Sequence, residues 1–254
     1  MSQDYPEIFA RFYDLIYHQI RDGVDNEFFL NEIRQTPGKV LEVGVGTGRF
    51  FVDALEQGAD IYGIDISDSM LGILKNKLEK DQISRVSRQN IIDFHFDFSF
   101  DLVIAPFRVL MHVQEKTDQL KAINNVYRHL NPGGKFIFDT FVPDLKQIIK
   151  GLDNLTDFEG EYEPGKKVKR TVSTTPELIN QRINVHFRLE WDEDGEMKVE
   201  NFSLPLRFFF RYELEHLVEK SDFSDYKILG DYQGNDLSEK SREFIVICRK
   251  SIQE

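Results

Sequence analysis

Eleven consecutive residues constrain this chain more than any others: Val40-Leu41-Glu42-Val43-Gly44-Val45-Gly46-Thr47-Gly48-Arg49-Phe50. An aliphatic run ends in three glycines at every second position, and an amphipathic segment follows at once. That order reads as a strand, a tight turn and a helix start, the first unit of a nucleotide-binding α/β fold. Without a Cβ the glycine backbone can take positive φ and approach a ligand closely. The helix behind the turn points unpaired N–H groups at whatever carboxylate or phosphate sits there.

Further elements follow in an order that suits this unit. Phe9, Phe12, Leu15, Ile16 and Ile20 recur at helical spacing, which predicts a helix over residues 5–21. Asp25 is expected to cap a second helix, stopped by Pro37-Gly38. Strands are predicted at 39–43, 61–65, 85–89, 100–105 and 135–141, with helices from about Arg49 to Gly58, after Ser67, and through Leu120, Ile123, Val126 and Leu130. The second strand ends in Asp65, 21 residues past Gly44, where an acid can accept hydrogen bonds from both hydroxyls of a ribose.

The glycine spacing bears on the ligand. A dinucleotide fingerprint wants a glycine where Arg49 stands. Instead Glu42-x-Gly44-x-Gly46-x-Gly48 resembles the first motif of class I S-adenosylmethionine (SAM) dependent methyltransferases, and Asp65-Ile66-Ser67-Asp68-Ser69-Met70 resembles their second. Phe100-Asp101 opening a strand, and Leu130-x-Pro132-Gly133-Gly134 leading into another, are also similar to that family. The resemblance covers residues 10–141. It implies that the glycine loop cradles the amino-acid end of SAM, that Glu42 acts through the loop on the donor's amino group, and that Ile66 and Met70 sandwich the adenine. It further implies adenine contacts from Asn90, where the family commonly has an acid, and from the Ile91 N–H, with Asp93 as the fallback and Ala105 at the end of the fourth strand.

The same resemblance narrows the chemistry. Ala105-Pro106-Phe107-Arg108 lacks the acid or amide with two prolines typical of adenine and glutamine methylation. The carboxylates that hold magnesium in catechol-type enzymes are missing too, so no metal is expected. His112, just beyond the fourth strand, lies where ligands bind in open α/β folds and has two readings: a base for the incoming nucleophile, or a packed structural histidine. Tyr13 and Tyr17 likewise either cover the donor as a lid or belong to their helix's apolar face.

Beyond residue 157 the period changes from helical to alternating. Ile183, Val185, Phe187, Leu189 and Trp191 alternate, Asp192-Glu193-Asp194-Gly195 makes a turn, and Met197 and Val199 alternate again. With a strand at 167–174 this forms a small antiparallel sheet, whose apolar face must cover the core, a second subunit or the active site. The fold expected is therefore a Rossmann-like, doubly wound, mostly parallel seven-stranded sheet with an antiparallel last strand, plus this insertion. The organisation expected is a SAM-binding core with lid helices at 1–150, an inserted sheet at 151–210 serving as lid or homodimer surface, and a return to the core at 211–254. The N-terminal Tyr-Asp helix, the inserted sheet and His112 resemble a small-molecule subset, including amino-sugar N,N-dimethyltransferases and, more loosely, glycine N-methyltransferase.

A net charge of −12 disfavours a nucleic-acid partner. The one basic cluster, Lys166-Lys167-Val168-Lys169-Arg170, reads as a solvated face. No apolar run approaches the roughly 20 residues of a membrane span, and residues 1–30 lack a signal-peptide pattern. The single cysteine, Cys248, reads as a small buried hydrophobe. A cytoplasmic enzyme is expected, moving the SAM methyl to a nitrogen or oxygen of a small soluble acceptor and leaving S-adenosylhomocysteine (SAH). A non-catalytic SAM sensor and a nicotinamide-dependent oxidoreductase are the rival readings.

Overall fold

The computed structural model describes residues 5–20 and 23–252. Seven strands form the main sheet: β1 (Val40–Val43), β2 (Ile61–Asp65), β3 (Val86–Arg88), β4 (Phe100–Ala105), β5 (Leu130–Phe141), and two from the end of the chain. With β6 (Leu155–Glu163), β7 (Lys166–Glu177), β8 (Arg182–Glu193) and β9 (Glu196–Arg207) making a second sheet, those last two are β10 (Asp225–Leu229) and β11 (Glu243–Arg249). The main order is β10-β11-β5-β4-β1-β2-β3. β1 through β5 pair in parallel, while β11 runs antiparallel to both β5 and β10. This is the expected doubly wound sheet with its reversed last strand.

Parallel strands need crossover connections, so helices lie on both faces and the central strands are apolar throughout. All four residues of β1 are buried. Leu41, Val43, Val103, Phe136 and Phe138 pack one face of the sheet against α5 (Lys116–His129) and α7 (Arg211–Glu219). Val40, Ile61, Leu102, Ile104 and Ile137 pack the other against α2 (Val24–Arg34), α3 (Phe51–Glu56) and α4 (Asp68–Lys75). The order reverses at β1, which lies between β4 and β2, so a crevice opens beyond their carboxyl ends.

The second sheet has the order β6-β7-β8-β9, antiparallel throughout. Its apolar face (Val168, Val172, Val185, Phe187, Leu189, Trp191) closes on α1 (Glu7–Ile20), meeting Phe9, Phe12 and Ile16. Trp191 lies 6.2 Å from the Phe12 ring. Within this chain the sheet's apolar face is therefore covered by α1, which in turn packs on α4 through Met70. Residue 21, the expected end of this first helix, falls outside the described residues.

Several local expectations are corrected. Asp25 does not cap α2: Gly23, at φ +72°, precedes the helix, and Asp25 is buried against Arg49 (2.5 Å). The helix expected from Arg49 begins at Phe51. β5 begins at Leu130 rather than 135, because Leu130 pairs with Phe100 before a bulge. β7 extends over Lys166–Glu177, longer than the expected 167–174, and β6 was not foreseen. The basic cluster is not wholly solvated: Val168 and Arg170 point into the core.

Candidate functional site

The glycine loop leaves β1 and bends back over β2. The N–H groups of Gly44 and Val45 both donate to the Ile64 carbonyl, at 2.8 and 3.0 Å. The next N–H, of Gly46, donates to Asp65 Oδ2 at 2.8 Å, while Asp65 Oδ1 accepts from Ser67 N–H at 2.8 Å. Asp65 therefore clamps the loop to the start of α4, where Ser67 Oγ caps by accepting from the Met70 N–H at 3.2 Å.

Two loop glycines have different needs. Gly44 (φ +69°) has no room for a side chain, since a Cβ would fall 2.4 Å from the Val109 Cγ2. Gly46 (φ +54°) faces open space, its nearest atom being the Gly44 carbonyl oxygen at 3.9 Å. Glu42, two residues before Gly44 in β1, is 2% exposed, and its Oε2 has no hydrogen-bond partner among the described residues. Burial raises its pKa well above the carboxylate range, partly offset by the Arg49 cation. A buried acceptor without a donor costs about 1–3 kcal/mol, and an alkylammonium entering over Gly46 would supply one.

α1 is fastened over this loop. Thr47 Oγ1 donates to Asp14 Oδ1 at 2.5 Å, Lys77 Nζ to Asp14 Oδ2 at 2.6 Å, and the same ammonium to the Thr47 carbonyl at 2.9 Å. One turn of α1 thereby places Tyr13 and Tyr17 side by side, with ring centroids 4.3 Å apart. The Tyr17 ring meets Phe107 edge-on at 5.4 Å. Phe107 (φ +58°) and Arg108 (φ +67°), just past β4, are both left-handed, a conformation that costs a residue with a side chain about 1–2 kcal/mol. The Arg108 N–H donates to buried Asp139 at 2.6 Å, and Asp139 also accepts from the Tyr232 hydroxyl.

His112 ends a short 3-10 turn, Val109–His112, beside the Tyr5 ring at 6.4 Å. Burial lowers its pKa to about 4, so the imidazole is neutral near pH 7. Ala105 is buried at the end of β4, and Ile66 is half-buried at the crevice. Met70 packs beneath α1, with the core cluster that includes Phe9 and Phe12. Asn90 already accepts from the Ile92 N–H at 3.1 Å, Ile91 is buried, and Asp93 is exposed. Among the described residues no cluster of His, Cys, Asp or Glu could hold a metal, and no helix is long and apolar enough to cross a membrane.

Sequence reasoning missed Phe107, Arg108, Asp139 and Arg170 at the site. Asp139 had a visible signal, an acid inside the apolar run Phe136–Phe141. Arg170 had one too, since Val168-x-Arg170-x-Val172 is a strand alternation that turns all three the same way.

A sheet reversed in its last strand, a glycine loop clamped by an acid one strand over, and a buried carboxyl group with an unpartnered oxygen on the strand before the loop define a class I methyltransferase. The methyltransferase-domain family matches residues 41–138. An uncharacterized methyltransferase of Bacillus cereus is 31% identical over 178 residues, 66% of this chain and 76% of that one. A glycine/sarcosine N-methyltransferase of Parasynechococcus marenigrum is 27% identical over 237 residues, 91% of this chain and 80% of that one. The solved sugar N-methyltransferase KedS8 of Streptoalloteichus is similar in fold, with a TM-score of 0.76 at 18% identity over 94% of this chain and 92% of that one. The chain belongs to the SAM-dependent methyltransferase family, and SAM is its methyl donor.

Proposed function

We propose that this enzyme methylates a nitrogen of a small soluble acceptor. The observation that carries the reading is the roof. α1 lies latched over the glycine loop and is itself covered by the second sheet, so a macromolecular acceptor would have to displace both. The names of the glycine/sarcosine and sugar N-methyltransferases favour nitrogen over oxygen.

In this reading Glu42 and the loop of Gly44, Gly46 and Gly48 hold the amino-acid end of SAM. Asp65 holds its ribose, and Ile66, Met70, Asn90, Ile91 and Ala105 line the rest. SAM supplies a methyl already activated by a positive sulfur. The protein's own work is alignment and exclusion of water, worth roughly 7–11 kcal/mol when it is good. Tyr13 and Tyr17 close the crevice. The neutral His112 imidazole takes the proton that the acceptor nitrogen must lose. Residues 1–150 act as the donor-binding core with its lid, 151–210 as the cover, and 211–254 as the completion of the sheet. A cytoplasmic site of action is part of the same reading, supported by the lone, buried Cys248. If the enzyme is a homodimer through the second sheet, the outer face or the edges must serve, because the apolar face is taken by α1.

The test is a screen of small amines, amino sugars and phenols for acceptor-dependent SAH release. The expected result is release with an amine, lowered about 10²–10⁴-fold by His112→Ala. SAM binding with no release from any acceptor would favour the sensor reading instead.

A further inference from the structure

Arg170 is a cation set in an apolar row. It lies on β7 between Val168 and Val172, all facing α1, and is only 1% exposed. Its fork is half engaged. Nε donates to Asp157 Oδ1 at 3.0 Å and Nη2 to Asp157 Oδ2 at 2.8 Å, both across to β6. The third nitrogen, Nη1, is buried and makes no hydrogen bond of good geometry among the described residues, while the Tyr17 hydroxyl lies close enough to interact with the guanidinium. A buried ion pair is a poor source of stability compared with packed apolar side chains, and a guanidinium nitrogen left over makes it poorer. Fold alone therefore does not account for an arginine here.

The position accounts for it. The guanidinium lies 4.9 Å from the Tyr17 ring centroid, 4.9 Å from that of Phe187 and 5.9 Å from that of Phe9. Tyr17 is the ring whose other side meets Phe107, just past β4. The half-buried Tyr5 ring stands beside His112 and stacks on Phe9 at 5.3 Å. These groups pack together between α1, the second sheet and the turn that follows β4. Aromatic walls exclude water there, which strengthens any charge-assisted hydrogen bond that forms.

We propose that Arg170 selects the acceptor: its Nη1 binds an anionic oxygen, of a carboxylate or a phosphate, that the acceptor carries close to its amine. The inference rests on the small-acceptor reading above and adds the substrate's charge to it. Asp157 balances one unit of charge and holds the fork still, so a single N–H edge remains for a single oxygen.

Calorimetric titration of the full-length, SAH-loaded protein tests this with propionate, inorganic phosphate and the neutral propionamide. At least one anion is expected to bind about tenfold or more tightly than propionamide, and the tighter of the two identifies the acceptor's acid. Arg170→Gln should bring anion and amide to the same affinity while SAH affinity holds. Asp157→Asn, which leaves Arg170 in place, should keep the preference and serves as the second variant if Arg170→Gln does not fold. Absence of anion binding, equal binding of anion and amide to the unaltered protein, or a preference surviving in Arg170→Gln would overturn the proposal. Loss of the small-acceptor reading shows separately, as anion binding without SAH release from any amine.

Discussion

Gly46→Ala isolates what the loop does for the donor. The backbone there sits at φ +54°, so alanine pays the left-handed penalty of about 1–2 kcal/mol. Part of that is offset because alanine also narrows the unfolded ensemble. The new methyl meets no protein atom closer than 3.9 Å, so no packing cost adds to it. A net loss of about 1 kcal/mol lowers Tm by about 2–4 °C in a chain of this size. The donor fares worse, because the methyl occupies the space through which it would reach Glu42. Overpacking of that kind costs about 1–3 kcal/mol, or roughly 5- to 150-fold in Kd. Gly58→Ala is the matched control: φ +85°, nothing within 4 Å of the added Cβ, at the far end of α3 from the loop. Calorimetric titration with SAM, beside thermal melts of both variants, reads the two effects separately. Equal falls in Tm with a SAM affinity changed only in Gly46→Ala is the expected result. Equal affinities in the two variants would refute the cradle.

Removing the latch should loosen the donor without unfolding the protein. Asp14→Ala breaks an exposed ion pair worth about 0.2–1 kcal/mol and leaves the Thr47 hydroxyl, 2% exposed, without its acceptor; SAM affinity by calorimetry should fall about 5- to 30-fold, and an unchanged value would deny α1 its role as lid. Because burial holds His112 neutral down to about pH 4 against an ordinary 6.5, the folded chain binds fewer protons than the unfolded one between those values. Stability should therefore be flat above pH 6.5 and fall by up to about 3 kcal/mol as pH drops toward 4, a slope that melts of His112→Asn should lack; parallel profiles would count against it. Burial also pushes the Cys248 thiol far up, so thiol-reactive dyes should label the protein only in denaturant; rapid labelling of the native protein would contradict the core placement.

Local signals were legible and long-range ones were not. The loop from Gly44 to Gly48, the acid Asp65 and the Ser67 cap are each written within a few residues, and each sits as expected. Asp25 carried an equally good capping signal, yet an ion pair to Arg49 drew it into the helix. Strand β6 was hard to read because its inward row is thin, Phe158, Gly160 and Tyr162 set between four acids, with Phe158 alone buried, and its pairing with β7 is bulged in two places. Without β6 there was no counter-ion in view for Arg170, which is why its charge run read as solvated. Phe107 and Arg108 take left-handed backbone beside Asp139, whose carboxylate accepts the Arg108 N–H from 31 residues away.

The contact between Trp191 and Phe12 gives this enzyme its own spectroscopic probe. The chain has one tryptophan, and it sits on the underside of the helix proposed as the lid. Any lifting of that helix rehydrates a single indole against a background of phenylalanines and tyrosines. Emission from the unlabelled protein can thus time the opening and closing of the roof in the presence of each ligand.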